Sequence, residues 1–180
     1  MRKDLYPWFG VVVAMLALTV WAFAGEIEIG EAKLRHGMKI EAVYIQPVIM
    51  EPMNGIAGMG QSRNKADIHL EADIKAAKHN PWGFDEGSWV PYLTVIYRWR
   101  RVETGETGWG LFGSMVADDG PHYGANVKLA GVGRYRLTYR VEPPSLARHT
   151  DKETGVPAWF GPFDVSWEFT FLGFGKKGGY

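Results

Sequence analysis

Downstream of residue 25 the chain repeatedly alternates apolar and polar positions with a period of two. In Ile68-His69-Leu70-Glu71-Ala72-Asp73-Ile74 the even positions are apolar and the odd ones polar, the pattern of a strand with one face on a core. His69 and Glu71 therefore share the face turned away from that core. Residues Arg134 to Val141 repeat the pattern, with arginines on one face and Tyr135, Leu137, Tyr139 and Val141 on the other. Further strands are predicted at Met38 to Val48, Pro91 to Arg101, Gly108 to Met115, Tyr123 to Leu129 and Val165 to Leu172. Turn sequences separate them: Glu103-Thr104-Gly105, Asp118-Asp119-Gly120-Pro121, Glu142-Pro143-Pro144 and Gly161-Pro162. The stretch from Ile49 to Lys65, with Met50, Met53 and Met59 among glycines, reads as a long loop. No segment after residue 24 carries a helical stripe of useful length. Seven or so strands at this spacing predict an all-β protein, an antiparallel β-sandwich of immunoglobulin-like type, with a barrel as the alternative.

The first 24 residues break the pattern. Arg2 and Lys3 precede an apolar stretch from Trp8 to about Ala24 that closes on Ala22-Phe23-Ala24, the layout of a cleavable secretory signal whose apolar core is an N-terminal helix ahead of the β-domain. An uncleaved membrane anchor is the competing reading, since the stretch is only slightly short of the ~20 apolar residues a spanning helix needs. The A-x-A site and the abrupt change to Gly25-Glu26-Ile27-Glu28 favour cleavage. We therefore expect a signal peptide over 1–24, a single domain over 25–180, and a periplasmic location. The chain has no cysteine, so export brings no disulfide and the fold must rest on its core, for which this length suffices.

Lysine plus arginine and aspartate plus glutamate number 20 each, and loss of Arg2, Lys3 and Asp4 with the signal leaves the balance near neutral. Nucleic-acid binding and a polybasic membrane surface are not supported, because both need a concentrated positive field. Any membrane contact is expected through the signal segment or a membrane partner alone. Nor is there a cysteine nucleophile, a G-x-S-x-G elbow, a phosphate-cradling glycine loop or an H-E-x-x-H helix. The chain is not expected to be an enzyme, although redox turnover of iron at a metal site stays open.

Five histidines are present, His36, His69, His79, His122 and His149. His69 and Glu71 lie ~7 Å apart along one strand face, so both can reach a common point; for such a pair alone a solvated strand face is the commoner outcome. A second cluster changes the picture. Met115 closes a strand, Asp118-Asp119-Gly120-Pro121 turns the chain, and His122 follows directly. Proline restricts the backbone there and helps to aim the imidazole. Imidazole, carboxylate and thioether together form a donor set of mixed softness, suited to iron, copper and zinc, with the thioether pointing to copper; core filling is the ordinary fate of a methionine such as Met115. Asp118 and Asp119 either orient His122 by a hydrogen bond or simply open the turn. His36 and His79 sit in turn-like sequence and read as solvated. Trp82, Trp89, Trp99, Trp109, Trp159 and Trp167 read as core and interface residues; no arrangement in the sequence singles any of them out for stacking on sugars.

The segments DIHLEADI (67–74) and MVADDGPHYGANV (115–127) resemble the periplasmic iron-transport protein family, secreted proteins associated with ferrous-iron permeases and found with copper bound. The resemblance covers most of the mature chain and is weakest toward its end. It implies an immunoglobulin-like homodimer with metal sites near the subunit interface, binding a copper ion and an iron ion, with manganese or zinc as divalent surrogates. Carried over residue by residue, the family's ligands fall on His69, Glu71, Met115 and His122. A histidine from a later loop completes the family's site, and His149 is the candidate; if the partner subunit donates it, dimerisation and metal retention are coupled.

The leading functional reading is a metal-binding protein of a high-affinity iron-uptake system that delivers iron to an inner-membrane permease. A periplasmic copper chaperone or copper-resistance protein is the alternative. A third reading, from another class, is an immunoglobulin-like adhesion or carbohydrate-binding module. Metal binding through imidazole is expected to weaken as the pH falls through ~6.5.

Overall fold

In a computed structural model, residues 25–51 and 60–174 are described. The signal-like segment 1–24 and a loop stretch holding Met53 and Met59 lie outside the described residues, as does the chain from 175 onward. Ten strands follow one another: β1 (Ile27–Glu28), β2 (Lys33–Arg35), β3 (Met38–Ile45), β4 (Ile68–Ala76), β5 (Thr94–Arg101), β6 (Thr107–Leu111), β7 (Gly113–Ala117), β8 (Gly120–Val127), β9 (Gly133–Glu142) and β10 (Phe163–Phe171). They form two antiparallel sheets. One has the order β1-β3-β4-β8-β7, with β2 also paired to β3, and the other the order β10-β9-β5-β6.

The period-two pattern dictates the core between them. Ile68, Leu70, Ala72, Ile74 and Ala76 of β4 face inward with Tyr123, Ala125 and Val127 of β8, against Tyr135, Leu137, Tyr139 and Val141 of β9 and Val165 and Trp167 of β10. The expected all-β sandwich is what forms. A polar link ties the sheets where they meet: the Tyr139 hydroxyl donates to the Glu71 carbonyl at 2.9 Å, which satisfies both buried groups.

Two boundaries differ from expectation. The predicted strand from Gly108 to Met115 is two strands, β6 in one sheet and β7 in the other. Between them Phe112 is buried, its N–H donates to the Val95 carbonyl at 2.9 Å, and its ring packs against Tyr97 and Tyr139 at 5.0 and 5.1 Å. The chain changes sheets at this residue, which alternation alone cannot reveal because the apolar positions run on through the crossing. The short β1 and β2 were also not predicted. β2 and β3 form a hairpin with Arg35 opposite Met38, and the two loop residues His36 and Gly37 both have positive φ, 47° and 65°, as a tight two-residue turn requires. His36 is exposed there and stacks on Phe160 with centroids 5.3 Å apart; His79 is exposed as well. Both histidines are turn residues.

Candidate metal centre

Three neighbouring strands, β4, β8 and β7, build one row of side chains on the face of the larger sheet opposite the core. His69 pairs with Asn126 and Glu71 with Gly124 across β4 and β8; His122 pairs with Met115 across β8 and β7. Directly opposed residues of an antiparallel pair project from the same face. The Asp118-Asp119 turn sets this register, since Ala117 pairs with Gly120 immediately around it.

The face assignment of His69 and Glu71 is correct, but the face is not solvated. His69, Glu71 and His122 are 1%, 3% and 4% exposed, because the chain leaving β3 folds back over them. Asn126 anchors that segment: its amide nitrogen donates to the Val48 carbonyl at 2.9 Å and its side-chain oxygen accepts from the Val48 N–H at 3.2 Å. The covered space is a cavity of about 450 Å³ lined by His69, Glu71, His122, Met115 and the buried Met50. One donor atom each of His69, Glu71 and His122 fall within 4.8 Å of one another.

The hydrogen bonds determine which ring nitrogens face the cavity. With the Asn126 amide nitrogen committed to Val48, its oxygen accepts from Nδ1–H of His69 at 3.1 Å, leaving Nε2 of His69 with its lone pair. Nε2 lies 3.6 Å from the Glu71 carboxyl. In His122, Nδ1 donates to the Gly120 carbonyl at 3.3 Å, and the buried Nε2 has no hydrogen-bond partner. A buried nitrogen without a partner is costly in a folded protein and calls for an explanation. Two imidazole lone pairs, a carboxyl and a thioether directed at one cavity supply it, because this donor set fits a copper or iron ion. The suggestion that Asp118 or Asp119 orients His122 is not met; the Gly120 carbonyl does so, and the Asp119 side chain hydrogen-bonds Glu26.

Burial governs the electrostatics. The Glu71 carboxyl is pushed up to about 8, first by loss of water and then by the nearby carboxylates of Glu26, Asp73 and Asp119. Burial likewise drives His69 down to about 4, against the opposing hydrogen bond it donates to Asn126 and with a further lowering from His122. At neutral pH both groups are therefore uncharged. Glu26 and Asp73 are also raised, in each case chiefly by burial. A cation entering the cavity would meet the Glu71 carboxyl, whose ionisation it favours.

Gly124 makes room for the cluster. A Cβ built there would stand 2.8 Å from Nε2 of His69 and 3.1 Å from the Met115 sulfur. Together with Asn126 it is a site residue that the sequence reading missed. The signal was present, since His122, Gly124 and Asn126 alternate with Tyr123, Ala125 and Val127 and so share the face of His122. His149 is not brought to this cavity within one subunit. It is exposed on the loop between β9 and β10, where its Nδ1 lies 3.2 Å from the Thr154 hydroxyl. Thr154 is held in turn by the Asp151 carboxylate, and the Val156 N–H donates to the His149 carbonyl at 2.9 Å.

Fold and site together define a β-sandwich protein with two buried histidines, a buried carboxyl and a half-buried thioether clustered on one sheet. The chain belongs to the Fe2+ transport protein family, which it matches over residues 23–173. It is 50% identical to the UPF0423 protein of Brucella abortus (strain 2308) over 185 residues, covering 99% of this chain and 100% of that one. The 34 kDa membrane antigen of Treponema pallidum is 36% identical over 150 residues, 79% of this chain and 72% of the antigen. Among solved structures, FetP of uropathogenic E. coli, expressed in the periplasm of E. coli, superposes with a TM-score of 0.78 at 50% identity, covering 83% of this chain and 98% of FetP. The copper-reconstituted P19 protein of Campylobacter jejuni superposes with a TM-score of 0.78 at 47% identity, with the same coverage of 83% and 98%.

Proposed function

We propose that the protein is exported to the periplasm by cleavage after residue 24, binds copper and iron in the cavity on β4, β7 and β8, and delivers iron to an inner-membrane permease. The ligands are His69, Glu71, Met115 and His122, with His149 supplied by the partner subunit of a homodimer. The carrying observation is the buried, unpartnered Nε2 of His122 facing the same cavity as Nε2 of His69 and the Glu71 carboxyl. Membership of the Fe2+ transport family supports iron as cargo, and copper in FetP and P19 structures supports copper as a companion ion. The exposed, internally braced loop of His149 suits donation to a second subunit, because its own cavity is out of reach. Metal analysis of the purified protein tests the reading: copper and a divalent iron surrogate should bind with affinity lost in His69→Ala and His122→Ala, and indifference to both changes would refute it.

A copper chaperone is the second reading, favoured by the two thioethers, of Met115 and Met50, that line the cavity. Gene deletion separates the two, since an iron carrier matters for growth under iron limitation and a copper protein under copper excess.

A further inference from the structure

On the other sheet from the metal centre, the strand β6 has the sequence Thr107-Gly108-Trp109-Gly110-Leu111. Its two glycines face inward beneath aromatic rings: a Cβ at Gly108 or Gly110 would stand 2.4 Å from the indole of Trp99 or the hydroxyl of Tyr97. The packing of those rings accounts for both glycines. It does not account for Trp109, because this indole points to the opposite face and is 75% exposed, with nothing among the described residues covering it.

The residues beside it are cationic. Arg98 lies directly across from Trp109, and Arg100 directly across from Thr107 on one side and Arg136 on the other. These guanidinium groups, the indole of Trp109, and Thr107 and Thr138 line an open groove of about 290 Å³ with no carboxylate in its lining. Arg98 and Arg136 are braced from β10, by Asp164 at 2.6 Å and Glu168 at 2.8 Å. No carboxylate of the described residues pairs with Arg100, whose charge is left for a ligand.

We propose that this groove binds an acidic glycan, with one sugar ring stacked on Trp109 and its carboxylate or sulfate held by Arg100. An exposed indole offers a flat apolar face to the C–H surface of a pyranose, a guanidinium forks onto a planar anion, and the threonine hydroxyls serve the ring hydroxyls. The groove is too open to enclose a free small molecule, which a pocket for one would largely bury. It suits one or two units of a chain whose neighbouring residues stay in solvent. The near-neutral charge of the whole protein and the pairing of two of the three arginines argue against a polyphosphate ligand.

Native electrophoresis through gels containing polygalacturonate (carboxylate) or chondroitin sulfate (sulfate), with dextran, poly-glutamate and oligo-dT gels alongside, tests the proposal and tells the two anion sources apart. Retardation by one or both acidic glycans, with none by dextran and less by poly-glutamate or oligo-dT, is expected. Trp109→Ala and Arg100→Gln should each weaken it about tenfold while leaving copper binding unchanged, which shows that the fold is intact. No retardation by either glycan, equal retardation by poly-glutamate or oligo-dT, or a Trp109→Ala protein that runs like the wild type would overturn it.

Discussion

The side-chain oxygen of Asn126 lies 3.1 Å from Nδ1 of His69 while the same carboxamide clamps both backbone groups of Val48. One buried residue therefore sets the tautomer of a proposed ligand and closes the roof of its cavity. Asn126→Leu should lower copper affinity by ~10–100-fold, the usual cost of losing the group that orients a ligating histidine, and destabilise the metal-free fold by ~1–3 kcal/mol. Competition with a chelator of known affinity and urea unfolding measure the two separately; unchanged copper affinity would show that His69 needs no such support.

Gly124 defines a second test. Its missing side chain is the space between Nε2 of His69 and the sulfur of Met115, so Gly124→Ala places a methyl group among the proposed ligands. Those neighbours are side-chain ends rather than backbone and can shift, so the fold should survive with a loss of ~1–3 kcal/mol. Metal affinity should fall by at least about tenfold, one step of ~1.4 kcal/mol. Thermal unfolding and metal titration on the same preparation distinguish these effects.

Metal uptake should release a proton from Glu71. Its carboxyl, pushed up to about 8, is mostly protonated at pH 7, and a ligating carboxylate is not. Calorimetric titration with copper at pH 7 in buffers of different ionisation enthalpy should report about one proton released, and Glu71→Gln should abolish that release.

Without metal, the same two groups make stability depend on pH in opposite senses. Between the ordinary carboxyl value of 4.5 and about 8 the folded state holds a proton on Glu71 that the unfolded chain has lost, so stability declines as the pH rises through this window. His69 acts the other way. Between 6.5 and about 4 the unfolded chain takes up a proton that the buried ring refuses, so stability declines as the pH falls. Urea unfolding of metal-free protein should show Glu71→Gln more stable than wild type at pH 8 and converging with it toward pH 4.5, whereas His69→Gln should flatten the acid limb.

His149 is exposed and takes no part in the core, so His149→Ala should leave the unfolding midpoint of the metal-free protein within ~0.5 kcal/mol of wild type. Copper affinity should nevertheless fall under conditions where the protein is dimeric, as sedimentation or light scattering reports. An unaltered copper affinity in the dimer would remove His149 from the ligand set.

How much of this was legible in the chain differs by residue. The alternation in 68–74 and 134–141 placed β4 and β9 and sorted their faces, because a strand's side-chain period is a local property of the backbone. The Asp-Asp-Gly-Pro turn likewise announced the hairpin that sets Met115 opposite His122. Alternation could not report the sheet crossing at Phe112, where the apolar pattern continues across two sheets, nor that the polar face of β4 is roofed. The roof is a contact between Val48 and Asn126, 78 residues apart, and no local pattern encodes it.

The sequence by itself therefore determined the fold class, the strands and the chemical types and faces of the candidate ligands, since each follows from short-range periodicity and side-chain chemistry. The tertiary structure decided that His69, Glu71 and His122 meet, buried, at one cavity, which nitrogen each imidazole turns toward it, and that His149 stands outside it in the single subunit. Those outcomes depend on register, on burial and on a loop folding back over a sheet, and such long-range contacts set the local dielectric and hydrogen bonding that a list of residues leaves undefined.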